Sequence, residues 1–168
     1  SALYLAIKTK NINIIRLLLS NSEINVNEKS KCKIDEYEYY ETPLYQAIRE
    51  QNNEIIQMLL NHPKIKINKK STRSSFYESK KLKEKIEETV LHLAIRMKNK
   101  EMIQLLMSKQ IDVNKKYVKN IYEENSKSVN EQNTALNLAI LGEDIEIISI
   151  LASCPTIDFN LKGISYIS

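Results

Sequence analysis

Thr42-Pro43-Leu44-Tyr45-Gln46-Ala47-Ile48 opens the stretch that decides the fold. It continues through Asn52 and the apolar set Ile55, Ile56, Met58, Leu59 and Leu60, and closes on Asn68. Thr42 stands where a hydroxyl can accept a bond from the free amides of a helix start. Pro43 follows at the first helical position, where its missing N–H costs nothing. Leu44 and Ala47, three residues apart, mark one helical face. Asn52 then caps a second helix, whose apolar residues leave little polar face. Two such helices cannot hide that much apolar surface alone, so they must stack on others.

The same text recurs around this copy. Ser1-Ala2-Leu3-Tyr4-Leu5-Ala6-Ile7, Thr89-Val90-Leu91-His92-Leu93-Ala94-Ile95 and Thr134-Ala135-Leu136-Asn137-Leu138-Ala139-Ile140 repeat the opening. Asn11, Asn99 and Asp144 repeat the second cap, and Asn27, Asn114 and Asn160 repeat the close. The copies occupy residues 1–27, 42–68, 89–114 and 134–160. Ala6, Ala47, Ala94 and Ala139 put a methyl where two helices must approach closely. The inner helices carry equivalent apolar sets, such as Met102, Ile103, Leu105, Leu106 and Met107, which stack into one continuous core. Each buried side chain of this kind is worth roughly 1.5 to 3 kcal/mol before entropy is subtracted. In the first copy Ile14, Ile15, Leu17, Leu18 and Leu19 predict a second helix buried from more than one side.

These residues resemble the ankyrin repeat: Thr42-Pro43-Leu44-Tyr45 with Ala47, Glu54-Ile55-Ile56 with Leu59-Leu60, and the closing Ile111-Asp112-Val113-Asn114. The likeness covers 107 of 168 residues. It implies an all-α fold, an ankyrin-repeat solenoid of stacked antiparallel helix pairs with long hairpin-like loops, forming one domain over residues 1–168. Where the family usually has glycine between the two helices, this chain has Lys10, Gln51, Lys98 and Glu143. Left-handed backbone strains such residues, so Asn11 and its equivalents are expected to absorb part of the turn. The first copy lacks a preceding link and Leu161 to Ser168 begins another. The chain therefore reads as a segment of a longer array, with neighbouring repeats as contacts.

The links between copies, residues 28–41, 69–88 and 115–133, are 14, 20 and 19 residues long, against about seven in the family. By resemblance they become three fingers in a row beside the groove. Tyr37, Tyr39, Tyr40, Phe76, Tyr77, Tyr117 and Tyr122 place seven of the chain's eleven aromatics there. Such rings supply rigid contact area to a binding surface, and they equally well hold two-stranded ribbons together. The fingers carry net charges of −2, +3 and +1, a gradient that would orient a partner of mixed charge. In the second, Leu82 and Ile86 stand four apart and suit a helical turn better than a strand. No Asn-Gly or Asp-Gly signals a tight hairpin tip.

Hydrophobic residues make up 42% of the chain and charged ones 27%, so it should fold and stay in solution. With Gly142 and Gly163 its only glycines, it has nothing from which to build a phosphate-cradling loop, which argues against nucleotide hydrolysis and dinucleotide redox chemistry. No apolar run approaches the roughly 18 residues that cross a bilayer, so no membrane insertion is expected. Cys32 and Cys154 make neither a disulfide framework nor a metal set, and a cytoplasmic, reducing setting is the simpler expectation. Lysine outnumbers arginine 21 to 4, a bias that AT-rich coding DNA produces by itself. His92 matches the family's structural histidine, and His62 has no partner at ligand spacing. Glu84, Glu87 and Glu88 read as a solvated face. No catalytic, metal or cofactor residue is predicted, and the chain is read as a non-enzyme.

The expected function is a scaffold or adaptor that binds an unidentified protein partner through the groove and fingers. The finger contacts would be Tyr37, Tyr39, Tyr40, Phe76, Tyr77, Lys80, Lys81, Lys83, Tyr117 and Tyr122. By resemblance, the groove side of the first helices adds Lys8, Thr9, Arg49, Glu50, Arg96 and Met97. The second choice is salt-dependent binding of nucleic acid or another acidic surface through Lys69, Lys70, Arg73, Lys80, Lys81, Lys83 and Lys85 with Phe76 and Tyr77. The four acids of that finger dilute this reading.

Overall fold

The structure, a computed structural model, describes residues 1–77, 82–123 and 129–167. Ser1 Oγ accepts the Tyr4 N–H at 3.4 Å and opens α1 (Ala2–Lys8), and Thr42 Oγ1 accepts the Tyr45 N–H at 3.2 Å at the head of α3 (Pro43–Arg49). Thr89 and Thr134 take part in capping boxes at α5 (Val90–Arg96) and α7 (Ala135–Leu141). The second helices are α2 (Ile12–Leu19), α4 (Asn53–Leu60), α6 (Lys100–Met107) and α8 (Ile145–Ala152). Their caps Asn11, Asn52, Asn99 and Asp144 accept the third amide beyond at 2.9–3.1 Å. Helices of seven or eight residues do not hold alone in water, so tertiary packing supplies their stability.

That packing is a stack. α1, α3, α5 and α7 lie on one another in sequence, and each second helix packs on its own first helix. Ala6, Ala47, Ala94 and Ala139 are buried where the rows meet. Ile55 in α4 is fully covered by the pair before it. Its counterpart Ile14 in α2 is 46% exposed and Leu17 still more so, with no helix pair packed on that side among the described residues. The expectation that α2 is buried from more than one side therefore does not hold.

The turn between paired helices also differs from expectation. Lys10, Gln51, Lys98 and Glu143 themselves take the left-handed conformation, at φ of 52° to 55°, while Asn11 and its equivalents stay in the extended region as caps. In the first pair Asn11 N–H bonds to Ala6 O and Lys10 N–H to Ile7 O, and the other three pairs repeat this. It is the two-bond closure of a helix end that needs one left-handed residue. The two satisfied carbonyls compensate for a strain of about 1–2 kcal/mol in a non-glycine residue.

The fold is not all-α. The fingers form β1 (Ser30–Ile34), β2 (Tyr37–Glu41), β3 (Ser71–Tyr77), β4 (Leu82–Glu88), β5 (Lys116–Glu123), β6 (Val129–Thr134) and β7 (Ile164–Ile167). All seven join one antiparallel sheet in chain order. The reason lies in two lengths. Packed helices sit about 8–10 Å apart, and a two-stranded hairpin is about twice the strand spacing of 4.7–4.9 Å wide. Stacked pairs therefore set successive hairpins edge to edge. Strands long enough to clear the helices satisfy their outer amides on the next finger, so β2 pairs with β3, β4 with β5 and β6 with β7. Leu82 and Ile86 lie in strand β4, on one side of it, and Ile86 is buried. The first hairpin does turn tightly: Ile34 faces Tyr37 across Asp35 and Glu36, with Asp35 at φ 52°.

The closing asparagines stitch the units together. Asn27 donates to Lys64 O and accepts from Lys66 N–H, both at 2.7 Å, and Asn114 makes the same two bonds to Thr156 O and Asp158 N–H.

Candidate functional site

Strand alternation divides the sheet into two faces. Tyr37, Tyr39 and Glu41 of β2, Arg73 and Ser75 of β3, and Glu84, Ile86 and Glu88 of β4 share the face toward the first helices. Tyr40, Phe76, Lys83, Lys85 and Tyr122 point away.

The helix-facing side is built around two carboxylates, each just ahead of a capping threonine. Glu41 takes a forked pair of bonds from Arg49, at 3.0 and 2.8 Å. Glu88 takes the same from Arg96, at 3.0 and 2.6 Å, and also accepts the Tyr45 hydroxyl at 2.6 Å. Both carboxylates are essentially inaccessible, so Glu88 is not part of a solvated face. Buried carboxylates are tolerated because the fork and the phenol satisfy their oxygens. Burial alone would lower the pKa of each arginine. The bonds and charge of its glutamate outweigh this and hold the guanidinium above its usual value. Burial, then the nearby charge of Glu88, drives the Tyr45 phenol well above the ordinary tyrosine range. Tyr4 is raised in the same way, by burial and then by its bond with Cys32.

His92 occupies the position of Tyr4 and Tyr45 in its unit. Its Nδ1 faces the Thr89 amide at 3.2 Å and the Thr89 hydroxyl at 2.8 Å, and Nε2 lies 3.0 Å from Lys115 O. This pattern is that of a neutral ring protonated on Nε2, accepting at Nδ1 and donating to the carbonyl. Burial pushes its pKa down to about 4, against the opposing pull of Glu88. Ring contact with Tyr117 completes the pocket. His92 is a cap and a strut, with both nitrogens used.

The expected contact residues separate by face. Tyr39 stacks against Arg49 and Tyr37 against Arg73, at 5.4 and 5.0 Å from guanidinium carbon to ring centre. Tyr117 is buried at the foot of β5 and presents little surface. Tyr40, Phe76, Lys83 and Tyr122 are exposed on the opposite face. Arg49 and Arg96 spend their forks on Glu41 and Glu88, and Glu50 lies beside Arg49 at 3.5 Å. Lys8 and Thr9, at the C-terminal end of α1, are exposed, and Met97, just past α5, is half-buried. Lys80 and Lys81 lie outside the described residues, as does the side chain of Tyr77. Reading the sequence missed Glu41 and Glu88. The signal was a glutamate before the threonine with an arginine eight residues on, present in the second and third copies alone.

Among the described residues, no group of three or more His, Cys, Asp or Glu side chains is placed to hold a metal, and no helix is long and apolar enough to cross a membrane. A family model of ankyrin repeats (three copies) matches residues 1–71 and 73–163. The chain belongs to the ankyrin repeat family, whose members generally serve as protein–protein interaction modules and are typically non-catalytic. A comparison with curated proteins found no match.

Proposed function

We propose that the chain is a scaffold-type binding module whose protein partner lies against the helix-facing side of the sheet, with residues 1–168 acting as one domain. The observation that carries this reading is the pair of ring–guanidinium stacks, Tyr39 with Arg49 and Tyr37 with Arg73. Tyrosine and arginine held rigid before binding lose little entropy on contact, which is why they dominate interface energetics. Arg73 Nε and Ser75 Oγ lie beneath these rings, buried and with no hydrogen-bond partner among the described residues. Lys8, Thr9 and Met97 extend the contact into the groove. A cytoplasmic setting suits Cys32 and Cys154, both of them free thiols.

A photo-crosslinking residue at position 73 should capture one defined protein from lysate, and the same residue at position 10, on the turn side, should not. Tyr37→Ala with Arg73→Ala should weaken the captured partner at least tenfold, about 1.4 kcal/mol. Equal capture from both positions would overturn the reading.

The second reading, binding of a polyanion through the second finger, gains one observation in its favour. Alternation turns Glu84 and Glu88 to one side of β4 and Lys83 and Lys85 to the other, so two of the acids do not share a face with those lysines.

A further inference from the structure

We infer that the sheet face turned away from the helices binds single-stranded nucleic acid, with Phe76 and Tyr122 as stacking platforms and Lys83 between them for the phosphates. This rests on the polyanion reading of the second finger and narrows it to one ligand and one surface. The register places Phe76 of β3 directly opposite Lys83 of β4, and Lys83 opposite Tyr122 of β5. The three form a row across the strands, with the two rings about 10 Å apart at ordinary strand spacing. Phe76 is 58% exposed and Tyr122 45%, so both rings stand in solvent.

The neighbourhood has the matching charge. Lys31 and Lys33 of β1 point to the same side as Lys83 and Lys85, against Glu38 and Glu87. Lys31 is tied to Glu38 and Lys85 to Glu87, while Lys33 and Lys83 have no ion pair among the described residues. Both border a cleft of about 460 Å³ beside Phe76, which Glu36 and Glu38 also line, Glu38 being the partner of Lys31. Glu84, which would have opposed a phosphate, is held on the far face by Lys119 at 3.1 Å. Further along the face a row of amides, Asn120, Asn130 and Gln132, is joined by side-chain hydrogen bonds and presents donors and acceptors suited to base edges.

Flat rings alternating with lysines on an open sheet are what an unpaired base and its phosphate require. A duplex keeps its base faces inside, and the Asp and Glu side chains of an acidic segment have no flat ring to stack on Phe76 or Tyr122. Single strands, rather than acidic protein segments, are therefore the favoured occupant.

The test is fluorescence anisotropy of the 168-residue chain with a labelled twelve-nucleotide oligo-uridine at 50 and 200 mM salt, with heparin and polyglutamate as competitors. Phe76→Ala with Tyr122→Ala should weaken oligonucleotide binding about tenfold or more at both salts and leave the salt slope unchanged. Lys33→Ala with Lys83→Ala should reduce that slope by roughly 1.4, two phosphate contacts' worth for a single strand. Circular dichroism melts of each variant check the fold. The chain has no tryptophan, so Phe76→Trp supplies a unique reporter: unlabelled oligonucleotide should quench its indole while affinity is retained.

Salt-dependent binding of heparin and oligonucleotide alike, indifferent to the rings, would overturn this inference and leave the polyanion reading standing. Duplex bound as tightly as single strand would overturn it too. No binding of any polyanion at 50 mM salt would remove both.

Discussion

The two faces of the sheet are built from the same seven strands and do opposite things with charge. On the helix-facing side each strong carboxylate is spoken for. Glu41 and Glu88 are buried under forked arginines, and Glu84 is paired with Lys119. On the other side the ion pairs Lys31–Glu38 and Lys85–Glu87 are exposed or half-exposed, and Phe76, Lys83 and Tyr122 meet solvent. The difference teaches that similar residue types carry structural weight on one face and are available for binding on the other. What separates them is desolvation: a buried, fully bonded charge is expensive to disturb, and a hydrated one is not.

Breaking Glu88 is the sharpest way to test that contrast. Glu88→Ala leaves the Arg96 guanidinium and the Tyr45 hydroxyl without their acceptor. It should cost about 3 kcal/mol, the lower end for a buried pair, because Arg96 is partly open to water. Glu87→Ala, one residue away on the other face, should cost under about 0.5 kcal/mol. Urea denaturation of the two variants checks both, and equal losses would erase the distinction between the faces.

Protonation offers a comparable break without mutation. The folded-state pKa of His92, about 4, lies below its ordinary 6.5, so between those values the unfolded chain holds more protons. Stability should therefore fall as pH drops from about 6.5 towards 4. The loss approaches about 3 kcal/mol, since each tenfold change in proton affinity is worth about 1.4 kcal/mol. Asn137 makes the same reciprocal cap with Thr134 in the fourth unit. His92→Asn should thus retain the cap and remove most of the slope, as read from urea midpoints at pH 7 and pH 4.5.

Smaller still is the strain on the turn side, away from both faces. Lys98 is left-handed at φ 52° and lies outside the core. Lys98→Gly should stabilise the chain by about 1 kcal/mol, the relief of that conformation, and should leave capture by a crosslinker at position 73 unaltered. At the bottom of the scale, Lys83→Ala should shift the thermal midpoint by less than a degree or two, within the ordinary range for a solvated lysine.

The helical half of the fold was legible because its determinants are local. A hydroxyl ahead of Leu44 or Leu91, an asparagine ahead of Ile55 or Met102, and an alanine between them act within one or two helical turns, and four copies make the pattern unmistakable. The sheet was not legible for the opposite reason. Its strands, such as Ser71–Tyr77 and Tyr37–Glu41, alternate among polar, charged and aromatic residues without a hydrophobic period. What holds β2 to β3 or β6 to β7 is backbone pairing between fingers some thirty or more residues apart. Leu82 and Ile86 illustrate the ambiguity: their spacing suits a helix, and only a neighbouring strand on each side makes β4 extended. The candidate sites follow the same division. The aromatic and lysine content of the fingers was visible, but not which side each residue takes.

From the amino acids alone came the four helix pairs, their caps, the order of stacking and the concentration of rings and lysines in the links, since each depends on near neighbours and a repeating apolar set. Tertiary structure alone decided that three and a half fingers fuse into one sheet, that Arg49 and Arg96 turn inward onto Glu41 and Glu88, and that Phe76, Lys83 and Tyr122 form a row. Those outcomes depend on the match between the helix-stacking distance and the width of two strands, a length that no single repeat contains.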